Sequence, residues 1–183
     1  MRKIIELLDN PAKYTQVNNT QYDKEYAFTV DSKIYKTILK ITNSAMTVAL
    51  LLRDNLNIEL PVLENYIDEL QNGWEIHFQI YNKETDEFES ELSGTGNQFT
   101  VFATLLEILK DLINIEHPNY IVIISSTNEP SRVKLYEFFA QKIGKYINYT
   151  YIGKNKMKAF GMNKAMDSFF VMEKNLFENI GGK

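Results

Sequence analysis

The stretch from Glu91 to Tyr136 constrains the fold more than any other part of the chain. A strand end, Glu91-Leu92-Ser93, runs into the turn Gly94-Thr95-Gly96. An apolar helix is expected over Asn97–Asn114, with Phe102, Leu105, Leu106, Leu109, Leu112 and Ile113 on a wide stripe. Tyr120–Ser125 is apolar on both faces, as in a central strand covered from each side. A second helix is expected to start near Asn128, with Ser131 as its N-cap, to carry Tyr136, Phe139 and Ile143 inward, and to stop at Gly144. A strand reached through a helix pairs parallel to a neighbour by a right-handed crossover. The sheet must therefore be mixed. The glycine turn also matters chemically, because a turn that opens a helix presents bare backbone N–H groups to an anion.

The rest of the chain reads mainly as hairpins. A short helix is expected over Arg2–Asn10, stopped by Pro11, and a polar loop over Ala12–Lys24. Tyr26–Val30 and Ile34–Ile41 read as strands joined by a turn at Asp31-Ser32-Lys33. The apolar run Met46–Leu52 favours a strand by its length, with a helix left open by its Ala and Leu content. Pro61–Asn72 reads as a helix with proline at its start and Gly73 past its end. Trp74–Ile80 alternates, with Trp74, Ile76, Phe78 and Ile80 on one side and Glu75, His77 and Gln79 on the other. The polar turn Asn82–Glu87 leads to a partner strand, Phe88–Ser93. Tyr146–Ile152 and Ser168–Met172 read as strands around a turn, Lys154–Gly161, and a last short helix follows Lys174.

The expected fold is α/β of the α+β kind: one mixed, mostly antiparallel twisted sheet with helices on both faces. The expected organisation is a single domain over 1–183. Within it lie an N-terminal helix and polar loop (1–24), N-terminal strands and a helix (26–80), a core (88–172) and a C-terminal tail (173–183).

Length and composition narrow the function. A chain of 183 residues buries about 70% of its unfolded surface, enough for a core without staples. A net charge of −4 argues against a general nucleic-acid coat, which needs clustered cations. With no cysteine, disulfides and thiolate metal sites are excluded. Two separated histidines, His77 and His117, do not make a metal centre, so no metal is expected. Charges at Arg2 and Lys3 interrupt what would be a signal peptide's apolar run, and the expected location is the cytoplasm with no membrane partner.

The turn Glu91-Leu92-Ser93-Gly94-Thr95-Gly96 and the later run Asn128-Glu129-Pro130-Ser131-Arg132-Val133-Lys134-Leu135-Tyr136 resemble the GCN5-related N-acetyltransferase superfamily over roughly the C-terminal half. That family has a pyrophosphate-binding turn of pattern Gln/Arg-x-x-Gly-x-Gly/Ala before a long helix. A later helix, introduced by Asn, carries a Tyr. Here Glu91 stands at the Gln/Arg position. The chain also resembles small proteins of tailed bacteriophages in Trp74-x-x-x-Phe78, Gly94–Gly96, Val101-Phe102-Ala103-Thr104 and Ser131-Arg132 to Tyr136.

The resemblance implies an acyl-CoA-binding N-acetyltransferase, phage-encoded and found in a host cytoplasm or a virion, with acetyl-CoA as cofactor. The acceptor is an amine on a small molecule or protein. Gly94, Thr95, Gly96 and Asn97, with Asn128 and Arg132, are the cofactor-binding candidates. Glu75, His77, Glu89 and Glu91 are candidates for the base that takes the acceptor's proton, and Tyr136 for the acid that protonates the departing thiolate. A second expectation stays open: a non-catalytic protein of the same fold, acting as a virion component or as a binder of a host factor.

Overall fold

The computed structural model describes residues 10–42, 44–89, 98–125, 130–157 and 166–182. The strands are β1 (Tyr14–Asn19), β2 (Asp23–Val30), β3 (Lys33–Thr42), β4 (Gly73–Asn82), β5 (Glu87–Glu89), β6 (Tyr120–Ile124), β7 (Tyr149–Met157) and β8 (Met166–Glu173). The helices are α1 (Ala45–Leu56), α2 (Leu60–Glu64), α3 (Gln98–Glu116), α4 (Pro130–Ile147) and α5 (Lys174–Ile180), with a 3-10 turn at Glu69–Gln71. The strands form one eight-stranded sheet in the order β1-β2-β3-β4-β6-β8-β7, with β5 also on β4. The β4–β6 ladder is parallel, and those of β1–β2, β2–β3, β4–β5, β6–β8 and β7–β8 are antiparallel. The fold is thus the mixed, mostly antiparallel α+β sheet expected.

Two compact units divide the chain. The first draws on Met1–Lys40 and His77–Glu116. Its β2–β3 hairpin closes through Asp31 and Ser32, both at positive φ (45° and 64°), the geometry of a two-residue turn that matches strand twist. The sheet face carrying Tyr26 and Phe28 holds α3. Phe78 meets Phe102 edge to face at 6.4 Å, and the Tyr14 hydroxyl donates to Asp111 at 2.5 Å. Lys24 is buried and bonds Glu116 and Asn19, each at 2.8 Å. That cation sits beside a helix end whose last turn has no basic residue of its own, where positive charge is favoured.

On the same sheet face Thr37 is fully buried, and its hydroxyl has no hydrogen-bond partner among the described residues. An orphaned buried hydroxyl costs about 1–3 kcal/mol. Thr37→Val is therefore expected to raise stability by about 1 kcal/mol, or about 2–4 °C in melting temperature. A urea or thermal melt checks this, and a lower midpoint would mean that the hydroxyl is satisfied.

The second unit draws on Ile41–Ile76 and His117–Lys183. One of its sheet faces packs Tyr120, Val122, Ile124, Ile152, Phe170 and Met172 against α1, α2 and α5. The other face holds α4, which packs on β6, β7 and β8. Glu137 of α4 accepts from the Tyr151 hydroxyl at 3.1 Å and from Lys154 at 3.2 Å. A bulge between Tyr151 and Gly153 shifts the β7 register, so that Ile152 and Gly153 both serve the α1 side, where Asn55 donates to the Ile152 carbonyl at 2.5 Å.

Several expectations are corrected. Ala12–Lys24 is no loop: it holds β1 and the start of β2. Met46–Leu52 is helical, because Ala45, Val48, Ala49 and Leu52 make a helical stripe that is buried. The helix expected over Pro61–Asn72 lasts only to Glu64, and Ile67 from its supposed inner face is 39% exposed. Helix α4 starts at Pro130, so Ser131 lies inside it. The helix also passes Gly144 and ends at Ile147, before Asn148 at φ 60°. Strand β7 begins at Tyr149, later than Tyr146, and runs through Lys154 to Met157. The helix expected over Arg2–Asn10 falls, but for Asn10, outside the described residues.

Candidate functional site

The parallel ladder runs from Gly73↔Tyr120 through Trp74↔Ile121 and Glu75↔Val122 to Ile76↔Ile123. In α/β sheets ligands gather at the carboxyl ends of parallel strands where the strand order reverses. Glu75 stands one residue before that end. The alternation of β4 suggests a wet side for Glu75 and His77, yet both are buried, with 5% and 8% of their surfaces exposed.

The sheet face that Glu75 shares with Gly73, Tyr120 and Val122 holds a buried polar cluster inside the second unit. The Tyr120 hydroxyl accepts from the Ser44 N–H at 3.0 Å and donates to the Thr42 carbonyl at 3.3 Å. The Thr42 and Ser44 hydroxyls bond each other at 2.8 Å. Burial pushes the Tyr120 phenol up to about 12; the Ser44 hydrogen bonds work against that rise, and the charge of Glu75 adds to it. Tyr120 is thus a neutral phenol that both donates and accepts. Its ring lies flat on Gly73, where a Cβ would fall among the ring carbons. No motif in the sequence marks Tyr120, Ser44 or Thr42. The one hint is Gly73 at the head of a strand, where a side chain would ordinarily add packing.

Tyr136, the acid candidate, has no exposed surface and sits on α4 beside buried Phe139 and Ala140. Glu89 pairs through its backbone with Ile80, and Arg132 lies in the first turn of α4; the side chains of both fall outside the described residues. So do Glu91, Gly94, Thr95, Gly96, Asn97 and Asn128. Helix α3 begins at Gln98, directly after the expected glycine turn. Among the described residues no group of three or more metal-binding side chains occurs, and no helix is long and apolar enough to cross a membrane.

No protein-family model and no curated protein matches the chain. Solved structures similar to it include two of spermidine N-acetyltransferase SpeG from Vibrio cholerae. One, a point mutant, is 11% identical, covers 88% of this chain and 71% of its own, and has a TM-score of 0.40. The other, a complex of the spermidine/spermine enzyme with manganese ions, is 12% identical with the same coverage and a TM-score of 0.37.

Proposed function

We propose that the chain is an acyl-CoA-binding, N-acetyltransferase-like protein that moves an acetyl group from acetyl-CoA to an amine. The observation that carries this reading is the buried carboxylate of Glu75 beside the carboxyl end of the β4–β6 ladder. A carboxylate is expensive to bury. The segment between β4 and β6 contains the sequence Gly94-Thr95-Gly96 and then α3, a long helix whose N-terminus favours anions by roughly half a positive charge. Gly94–Asn97 form the pyrophosphate seat in this reading, with Asn128 and Arg132 as further candidates.

Glu75 takes the proton of the attacking amine, whose nitrogen bonds the thioester carbonyl carbon. The carbon–sulfur bond then breaks and the thiolate leaves with a proton, for which Tyr136 is the candidate donor. His77, Glu89 and Glu91 remain the other candidates for the base.

The full enclosure of Tyr136 favours a second reading, in which the same fold acts without transfer, through its surface, on a virion or host protein. A melting experiment separates the two. Acetyl-CoA at 100 times its dissociation constant should stabilise the protein by roughly 2.7 kcal/mol. No shift at millimolar acetyl-CoA would remove the first reading and leave the second.

A further inference from the structure

We propose that the outer face of α4 is a docking surface for the segment Glu59–Glu69 of a second copy of this chain. Charge is unevenly spread along the sequence. The chain carries −4 overall, yet α4 holds four bases, Arg132, Lys134, Lys142 and Lys145, against one acid, Glu137. Glu137 turns toward β7, where it bonds Lys154 at 3.2 Å and accepts from the Tyr151 hydroxyl. Tyr136, Phe139, Ala140 and Ile143 occupy the inner face of α4 and are buried. At 3.6 residues per turn, Lys134, Phe138, Lys142 and Lys145 share the opposite face, and the exposed Tyr146 stands beside them. Lys142 lies over the Phe138 ring, 5.4 Å from its centre. Among the described residues, Lys134, Lys142 and Lys145 make no ion pair.

Glu59–Glu69 is the complement. It contains four acids, Glu59, Glu64, Asp68 and Glu69, and no base, and all four are exposed. Among them stand Leu60, Val62 and Ile67, large apolar side chains left exposed while Leu63 of the same segment is buried. Apolar residues rimmed by charge mark a contact surface. On α4 the rings of Phe138 and Tyr146 and the lysine stems offer apolar area within a rim of the opposite sign. A nucleic-acid backbone would use the lysines and leave the acidic segment unexplained. One contact between copies accounts for both. The two patches belong to the second unit and lie on opposite faces of its sheet, since Leu63 packs with α1 and α5 while α4 covers the other side. A copy cannot turn both patches to one partner across a two-fold axis. The contact is therefore head to tail, and it builds rings or open chains.

Sedimentation velocity of the full chain at rising concentration tests this. At low ionic strength the wild type should form species larger than a dimer. Its association constant should fall at least about tenfold when added salt shortens the Debye length to about 3 Å. Lys134→Glu with Lys142→Glu and Lys145→Glu should stay monomeric, and so should Glu59→Lys with Glu64→Lys, Asp68→Lys and Glu69→Lys. Mixed in equal amounts, the two variants should associate again, because each then presents the sign that the other lacks. Melting midpoints close to that of the wild type show that both are folded. Should either fail to fold, Leu60→Ser with Val62→Ser keeps every charge and should weaken association about tenfold or more. Overturning results are a wild type that stays monomeric, association that neither reversal nor the serine variant changes, or folded variants that do not associate when mixed. A monomeric wild type that binds a mixed-sequence RNA through the three lysines also overturns self-docking and gives α4 to that partner.

Discussion

Gly73→Ala should destabilise the protein by about 3 kcal/mol or more, a drop of roughly 6–12 °C in melting temperature for a chain of this size. Elsewhere in a strand the change would be mild or helpful, because glycine loses more backbone freedom on folding than alanine. Here the new methyl group would fall among the Tyr120 ring carbons. The ring cannot swing away without giving up its bonds to Ser44 and Thr42, and it has no exposed surface to move into. The backbone pairing of Gly73 with Tyr120 fixes the two Cα atoms as well. A urea melt of Gly73→Ala, Tyr120→Ala and the double variant would show the cause. Since Tyr120→Ala opens the space that the new methyl group needs, the double variant should lose clearly less than the sum of the two singles. Strict additivity would mean that the damage arises elsewhere.

The same pair shows what the sequence displays and what it hides. Periodicity reveals elements whose surroundings are uniform. The apolar stripe of α3 and the doubly covered β6 were readable, and so was the α+β sheet that they force. Periodicity misleads where one face is polar but buried. Glu75 and His77 read as the wet side of a strand because alternation reports polarity, whereas burial depends on what the sheet is packed against. It also fails at edges. β1 is polar and lies at the border of the sheet, so it has too few apolar residues to announce itself. Glycine is ambiguous in the same way. Gly144 suggests a helix end, yet α4 continues past it; a Cβ there would press on the Tyr149 carbonyl, and Asn148 makes the left-handed stop. Gly73 and Gly144 are both places where two parts of the chain come close, and a glycine's neighbour in space is not written beside it. Tyr120, Ser44 and Thr42 meet only after β3, α1 and β6 are in place, so the cluster they form had no local signature.

Glu75→Gln offers the largest functional effect. Glutamine keeps the shape and an accepting oxygen but cannot take a proton near neutral pH. If Glu75 is the base, CoA release from acetyl-CoA with primary amines as acceptors should fall about 100-fold or more. The acetyl-CoA melting shift should persist, since the transfer reading assigns pyrophosphate binding to other residues. Stability should change by less than about 1 kcal/mol, because removing a buried charge relieves desolvation while the neutral amide interacts less strongly with its surroundings. The three readouts separate the possibilities. A lost rate with an intact shift assigns the base. An unchanged rate moves that role to His77, Glu89 or Glu91. A wild type that binds acetyl-CoA but releases no CoA with any amine makes Glu75 a buried carboxylate without a reaction. A rate measurement at this one position therefore bears most directly on whether the chain is an enzyme.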